Sequence, residues 1–381
     1  MITWSSDQTA LREGLERWHK ALSEDHIQQD ADAVFPWDKW RLIQETGILG
    51  LPFDEQWGGL GQDLLTTMYV LEGLGYGCRN GGLNFSITTS MVSTGVPLHR
   101  FGSADLKGRY LPRICSGESI GAHAITEPEG GSDALKMRTR AIREGDYFVL
   151  NGSKTFVSNG PVADLFVVYA RTHPDGGPIG ITAFLVERDT TGFEVSKPIT
   201  KMGLKTSPLC ELFFDDCVIP ATNIVGQVGG GFLLLDYVMK WEILCSFIVN
   251  VGEMQHRLER CIEYAKMRIQ FGKPIGSFQQ IANKIVDMKI RLDTARKWLY
   301  DTATRLAEGE NVTVDIAISK LLTSESNVSS ALAAVQIFGG NGYMAEYGLE
   351  KDLRNAVAGT IYSGTSEIQY NRIASMLGLG S

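Results

Sequence analysis

Tyr147-Phe148-Val149-Leu150-Asn151-Gly152-Ser153-Lys154-Thr155-Phe156-Val157 sets the architecture of the chain. Two short aromatic and β-branched runs flank Asn151-Gly152, a pair that tolerates positive φ at both positions, which predicts a β-hairpin turning there. Working outward, Leu165 to Tyr169 and Ile181 to Val186 bracket the turn signal Pro174-Asp175-Gly176-Gly177, and Leu212-Phe213-Phe214 adds a strand before Pro220. The pattern predicts a compact β domain. On either side the apolar spacing changes to three and four. From Ser5 to about Gly117 helical periodicity is interrupted by Gly50-Leu51-Pro52 and Gly58-Gly59-Leu60-Gly61, and Leu11, Leu15, Trp18 and Leu22 form one stripe between Asp7 and Leu22. After Gly229-Gly230-Gly231, Leu244, Phe247, Val251, Met254, Leu258, Ile262 and Ala265 recur at helical spacing, as do Ile281, Ile285, Met288, Leu292, Ala295 and Leu299. Ser277 with Gln280 predicts a capping box for the second of these helices, Gly309 its stop, and a third helix ends before Gly339-Gly340. The expected fold is α+β and multidomain: an N-terminal α-helical domain (1–117), a middle β domain (118–226) and a C-terminal four-helix bundle (227–381).

Composition narrows the function classes. With 44% hydrophobic and 21% charged residues and no apolar run long enough to cross a bilayer, the expectation is a globular protein without a membrane span. Met1-Ile2-Thr3-Trp4-Ser5 has neither the basic head and apolar stretch of a signal peptide nor the character of a transit peptide, which predicts a cytoplasmic location. A net charge of −8 argues against nucleic-acid binding. The six cysteines are scattered with no CxxC pair, so buried thiols are expected, and the six histidines form no HxxxH or HExxH pattern, so no metal is expected.

Six motifs carry the chemistry. Ala124-Ile125-Thr126-Glu127-Pro128-Glu129-Gly130-Gly131-Ser132-Asp133 is followed by Asn151-Gly152-Ser153-Lys154 with Ser158-Asn159-Gly160, Lys201-Met202-Gly203-Leu204, Arg268-Ile269-Gln270-Phe271-Gly272, Gln336-Ile337-Phe338-Gly339-Gly340-Asn341-Gly342 and Gly364-Thr365-Ser366-Glu367-Ile368. Alone, a GGSD stretch is more often a surface turn and FGG a helix cap. In this order they resemble the acyl-CoA dehydrogenase family from about Gly47 to the C-terminus. Glycines and small hydroxyls let backbone N–H groups approach a flavin ring and a pyrophosphate without obstruction. The resemblance implies FAD, with Ile125, Thr126, Ser132, Phe156, Val157 and Ser158 lining the flavin, Phe156 standing where the family usually has tryptophan. It also implies that Arg268, Gln270, Phe271 and Gln279, together with Gln336, Gly339 and Gly340, reach the FAD of a neighbouring subunit, and that Thr365 and Glu367 close its adenosine side. A shared cofactor implies an obligate oligomer, usually a homotetramer in this family. Ser132 and Gly364 are the expected substrate contacts.

The family's reaction removes an α proton with a carboxylate while the β hydrogen leaves as hydride to flavin N5. Many members carry that carboxylate immediately before Gly-Thr, but this chain reads Tyr362-Ser363-Gly364-Thr365. A minority, resembling isovaleryl-CoA and long-chain dehydrogenases, carry it on the helix after the β domain. Aligning Gly231-Phe232 with the family's GF puts Glu242 at that position, beside Trp241, Ile243, Leu244 and Cys245, where an apolar setting is expected to raise its pKa. A structural glutamate paired to a lysine or arginine is the bland alternative. The arginine that commonly follows the glutamate and helps hold coenzyme A is replaced by Ile243, and Lys240 stands where Asp is frequent. The acyl group is therefore expected on coenzyme A or on the phosphopantetheine of an acyl or peptidyl carrier protein. Electron-transfer flavoprotein is the implied electron acceptor; an oxidase or monooxygenase of the same fold, or a catalytically silent FAD-binding scaffold, are the other readings.

Overall fold

The computed structural model describes residues 2–379. The N-terminal part holds α1 (Ser6–Glu13), α2 (Glu16–Ser23), α3 (His26–Asp32), α4 (Trp37–Thr46), α5 (Leu64–Gly77), α6 (Gly81–Thr88), a π-helical segment (Thr89–Gly95), α7 (Val96–Phe101) and α8 (Ala104–Cys115). The stripe expected on one helix is shared by two, because the chain breaks at Gly14-Leu15 between α1 and α2. Its purpose survives the break: Leu15 and Leu22 are buried, and Leu11 and Trp18 pack against the core.

The middle of the chain is one sheet of β1 (Gly121–Ala124), β2 (Arg140–Glu144), β3 (Tyr147–Ser158), β4 (Leu165–Arg171), β5 (Ile181–Glu187), β6 (Phe193–Val195), β7 (Leu209–Pro220) and β8 (Ile224–Val225). Its order is β6-β7-β3-β2-β4-β5-β8, with β1 parallel to β4. The expected pair around the Pro174–Gly177 turn is present as antiparallel β4 and β5. The hairpin expected at Asn151-Gly152 is not formed. Instead β3 runs unbroken through it, and Gly152 (φ +144°) sits at a bulge in the pairing with β7. Thr139 packs so closely there that any side chain at 152 would collide with its backbone. Glycine thus served as a bulge residue in a long strand, while the actual turn is one step earlier, Gly145 (φ +63°) joining β2 to β3.

The C-terminal part is built on α9 (Gly231–Met267), α10 (Gln279–Ala307) and α11 (Thr313–Phe338), closed by α12 (Gly340–Tyr343), α13 (Leu349–Ala358) and α14 (Ser366–Met376), with a small ribbon of β9 (Ile269–Gln270) and β10 (Lys273–Pro274) between α9 and α10. The predicted capping box is absent. The N-cap of α10 is Phe278, and Ser277 Oγ donates instead to the Pro274 carbonyl at 2.7 Å. A tight proline turn claims the hydroxyl before the helix can. Gly309 (φ +83°) and Gly339 (φ +60°) follow α10 and α11 as expected.

Two contacts fix α9, which carries the site. It crosses α5 so closely that a side chain on Gly75 would strike the Val249 carbonyl and one on Gly252 the Glu72 carbonyl, each near 2 Å. Farther along, buried Arg257 donates to Asn327 Oδ1 of α11 (3.0 Å) and pairs with Asp352 Oδ2 of α13 (3.9 Å). All six cysteines are free and buried. Among the described residues no helix is long and apolar enough to cross a membrane.

Candidate active site

Glu242 projects from the fourth turn of α9 into a polar nest, contrary to the apolar setting expected for it. Ser93 Oγ of the π-helical segment donates to Oε2 at 2.7 Å and Ser363 Oγ, from the turn before α14, donates to Oε1 at 2.5 Å. His123 of β1 lies with Nδ1 at 3.7 Å from Oε2, and its Nε2 meets the buried hydroxyl of Tyr169 on β4 at 2.9 Å. No lysine or arginine pairs with Glu242 among the described residues, which removes the bland alternative of a structural ion pair.

The electrostatics follow. Burial, the largest single influence, pushes the Glu242 carboxyl up, but the bond and charge of His123 and the hydroxyls of Ser363 and Ser93 together hold it below its ordinary value. The raised pKa expected from the sequence is therefore corrected: the neighbours that matter come from segments remote in the chain. Burial and the nearby Glu242 charge instead raise the phenol of Tyr169.

Each neighbour is held by its own element. In the π-helical segment, Ser90 Oγ accepts from Gly121 N (3.0 Å) and Thr94 Oγ1 donates to the Ala122 carbonyl (3.2 Å), so two hydroxyls clip β1 while Ser93 between them reaches α9. A π turn spaces side chains differently from an α turn, and such turns are frequent at functional sites. Ser363 sits in the left-handed region (φ +55°), its turn fixed by Gln369 Nε2, which donates to the carbonyls of Ser363 (3.0 Å) and Gly364 (3.1 Å).

A narrow polar cleft lies beyond this nest along α9. Ser246, Asn250 and Glu253 lie on its wall at helical spacing from Glu242, faced by Asn84 and Thr88 of α6 and by Asn355 of α13. Asn84 Nδ2 donates to the Cys78 carbonyl (3.1 Å), while its buried Oδ1 has no partner. Burial pushes the Glu253 carboxyl up. Glu253 Oε2 accepts from Asn250 Nδ2 at 3.2 Å, which leaves Asn84 Oδ1 as an unclaimed acceptor on this wall.

The residues expected to hold FAD fall into two groups. Those of the β domain come together: Thr155 N donates to the Thr126 carbonyl (2.9 Å), joining the segment Ile125-Thr126 to the end of β3, with Phe156-Val157-Ser158 next along. Buried Lys154 reinforces the joint, donating to Glu127 Oε1 (2.8 Å) and the Ile125 carbonyl (3.1 Å); Glu127 also accepts from the Arg138 and Thr139 amides. These attractions hold the Glu127 carboxyl below its usual value, and although burial draws Lys154 down to about 8, the pair is charged at neutral pH. Glu127 is thereby a loop staple. Phe156 is 64% exposed in the left-handed region (φ +54°), an unshielded aromatic face, whereas the Val157 side chain is buried and has only its backbone to offer. Ser132 is exposed and Ser158 half-buried.

The second group lies in the helical part. Arg268, Gln270, Phe271, Gln279, Gln336, Gly339 and Gly340 are all exposed, Phe271 at 93%. Arg268 has no ion pair among the described residues. Thr365 is the N-cap of α14, accepting from Ile368 N (3.3 Å), and Glu367 lies exposed in its first turn. An aromatic face, small hydroxyls and an uncommitted guanidinium are the chemistry that an isoalloxazine ring and a pyrophosphate require. The donor set fits FAD.

Sequence reasoning missed Ser93, His123 and Tyr169. A lone histidine in the buried run Gly121–Ala124 was the available signal for one of them; the other two have none, since only the packing of β1 between the π-helical segment and β4 assembles them.

Models of the acyl-CoA dehydrogenase N-terminal, middle and C-terminal domains match residues 5–118, 122–217 and 229–378. The chain is 40% identical to L-prolyl-[peptidyl-carrier protein] dehydrogenase of Pseudomonas fluorescens over 342 residues, covering 90% of each protein. It is also 40% identical to the enzyme of that name from a Serratia species over 377 residues, 98% of this chain and 97% of the other. Among solved structures, the prolyl acyl carrier protein oxidase AnaB superposes with a TM-score of 0.96 at 40% identity over 99% of this chain and 100% of the other, and the FAD complex of PigA with a TM-score of 0.96 at 38% identity over 100% and 99%. The chain belongs to the acyl-CoA dehydrogenase family.

Proposed function

We propose that this FAD-dependent oxidoreductase dehydrogenates an acyl thioester between its α and β carbons, with Glu242 as the base, and that the acyl group is a small polar one on a carrier protein. The observation that carries the reading is the 2.5 Å contact between Ser363 and Glu242 across 121 residues of sequence. The two places where the resemblance puts the family's carboxylate converge on one point, and only one of them holds a carboxylate here. FAD, when bound, supplies N5 as acceptor of the β hydrogen. Glu242 takes the α proton on an oxygen that Ser93 or Ser363 already orients, so little reorganisation accompanies the transfer. Phe156, Ser132 and Ser158, with the backbone at Ile125, Thr126 and Val157, hold the flavin side. Arg268, Gln270, Phe271 and Gln279, with Gln336, Gly339, Gly340, Thr365 and Glu367, hold the dinucleotide, the exposed members reaching from a second subunit of a homotetramer. Ser132 and Gly364 contact the substrate.

The polar wall supports a small acyl group that carries a hydrogen-bond donor, because a saturated hydrocarbon chain would leave Asn84 Oδ1 unpaired, at a cost of about 1–3 kcal/mol, and would add nothing to the Glu253 carboxylate, which Asn250 alone meets. A prolyl group, with its secondary amine, suits those acceptors and is what the similar carrier-protein enzymes are named for. Ile243 does not bear on the carrier as the sequence suggested: its side chain is fully buried, and Lys240 is tied to Asp236 at 2.7 Å. The carrier reading rests on the relatives. Mixing the FAD-loaded enzyme anaerobically with prolyl and short fatty acyl groups, each on a peptidyl carrier protein and on coenzyme A, tests it. Fastest bleaching of the flavin by prolyl-carrier is expected; faster bleaching by fatty acyl-CoA would overturn the substrate reading. Reoxidation by air rather than by electron-transfer flavoprotein is the oxidase alternative, favoured by the similarity to AnaB, and oxygen consumption distinguishes the two.

A further inference from the structure

Nothing in the reaction as described requires a histidine, yet one stands beside the base. His123 is only 5% exposed at its side chain, held from behind by Tyr169, whose hydroxyl meets Nε2 at 2.9 Å and whose ring meets the imidazole edge to face at 5.2 Å. If the phenol donates to Nε2, the proton of the neutral imidazole is on Nδ1, the atom turned toward Glu242 Oε2 at 3.7 Å. We propose that the Tyr169–His123 pair is a positioning device for the base: it fixes the imidazole with Nδ1–H toward Glu242 and so keeps that half-buried carboxylate ionised and aimed.

The surroundings leave this role to His123. Around β1, the π-helical segment contributes only the hydroxyls of Ser90, Ser93 and Thr94, β4 the phenol of Tyr169, and β3 Lys154, which is neutralised by Glu127. From α9 comes Glu242 itself, with Glu253 three turns along, and from the turn before α14 come Ser363 and the half-buried Tyr362. Among the described residues His123 is the one group beside Glu242 able to carry positive charge. The two serines donate a hydrogen bond each whether or not the histidine is present. Burial is the largest influence on the carboxyl and acts upward; with His123 removed, the two hydroxyls alone oppose it.

The sign is then fixed. In the native enzyme the base is held low, so its ionised form persists from neutral pH down through the ordinary carboxylate value of 4.5. Without the imidazole the balance tips toward the protonated acid, and flavin reduction falls as pH drops, by tenfold for each unit below the new midpoint.

The inference rests on Glu242 being the base, so the experiment includes Glu242→Gln. Purified FAD-loaded enzyme is mixed anaerobically with prolyl-carrier thioester from pH 5.5 to 9, and the first-order rate of flavin reduction is read at saturating substrate. The native protein is expected to give a flat profile in that range. His123→Phe should gain an acid limb inside it while approaching the native rate at pH 9, Tyr169→Phe should shift the same way by less, and His123→Asn, whose amide N–H replaces Nδ1–H, should move the limb back down. Flavin content, measured on the same samples, stays unchanged in all three. A flat profile for His123→Phe, or a rate depressed equally at every pH, would overturn the role given to His123. Normal reduction by Glu242→Gln would instead overturn the base assignment beneath it.

Discussion

Lys154→Met should loosen the flavin-side loop without removing any group assigned to the cofactor. The lysine is wholly buried and its ammonium makes three bonds, 2.8 Å to Glu127 Oε1, 3.1 Å to the Ile125 carbonyl and a weak one at 3.8 Å to Met137 Sδ. Methionine fills most of the stem volume, so the loss is electrostatic. Removing one partner of a buried pair costs about 3–5 kcal/mol. Glu127 keeps two backbone donors, the Arg138 and Thr139 amides, and is 8% exposed. We therefore place the loss at about 2–3 kcal/mol, below the range for an orphaned charge. At roughly 2 °C per kcal/mol the thermal midpoint falls by about 4–6 °C. None of the seven tryptophans lies between residues 118 and 226, so circular dichroism and flavin absorbance are the reporters to use. Weakened FAD retention accompanies the drop, because Ile125 and Thr126 lose their anchor to β3. The double variant Glu127→Gln/Lys154→Met recovers part of the stability, since no unpaired charge is left. Acid gives an independent arm. The folded Glu127 pKa lies below its ordinary 4.5, so its contribution is complete at neutral pH and is lost as pH falls below 4.5 through the folded value. The gap between native protein and Lys154→Met should shrink over that window. A Lys154→Met protein as stable and as flavin-loaded as the native one would refute the reasoning.

Arg268→Ala should yield protein depleted in FAD, by loss of a phosphate-facing charge, while its monomer fold is kept, because the side chain is exposed and unpaired; gel filtration with flavin absorbance reads both, and a fully loaded oligomer would remove the assignment. Glu253→Leu should lower kcat/KM for a prolyl thioester by roughly 10- to 100-fold, mainly through KM, as one acceptor for a charged donor is lost. An unchanged KM would mean that Glu253 does not meet the acyl group. Ser363→Glu should slow reduction at neutral pH, since two carboxylates in contact cannot both ionise freely, yet the same change in a Glu242→Gln background should restore measurable reduction. No recovery in the double variant would show that a carboxylate at 363 cannot reach the α proton.

Periodicity revealed the order of helices, sheet and helices because it depends on local facing: Leu165 to Tyr169 must bury both faces, and Leu244 to Ala265 one stripe. Asn151-Gly152 misled because positive φ serves a bulge as well as a turn, and the choice was made by Thr139 across the sheet. Ser277 misled because a hydroxyl near a helix start has a second acceptor in a proline turn. Glu242 was legible from motif position alone, but its electrostatics were not. Chain neighbours Trp241 and Ile243 face elsewhere on the helix, and the groups that set its charge arrive from positions 93, 123 and 363, a conjunction no local pattern encodes.

Glu242→Gln tests the account most directly. The glutamine keeps the volume, accepts one of the two serine hydroxyls through its carbonyl oxygen and donates to the other, rotated, through its amide N–H, so fold and flavin content should match the native protein. It cannot take a proton, and a positioned base contributes roughly 10²–10⁴-fold. The measurement is the anaerobic rate of flavin bleaching by prolyl-carrier thioester at neutral pH. A loss of at least about 100-fold at full FAD occupancy is the predicted result; bleaching within a few-fold of the native rate would contradict the assignment of Glu242 as the base.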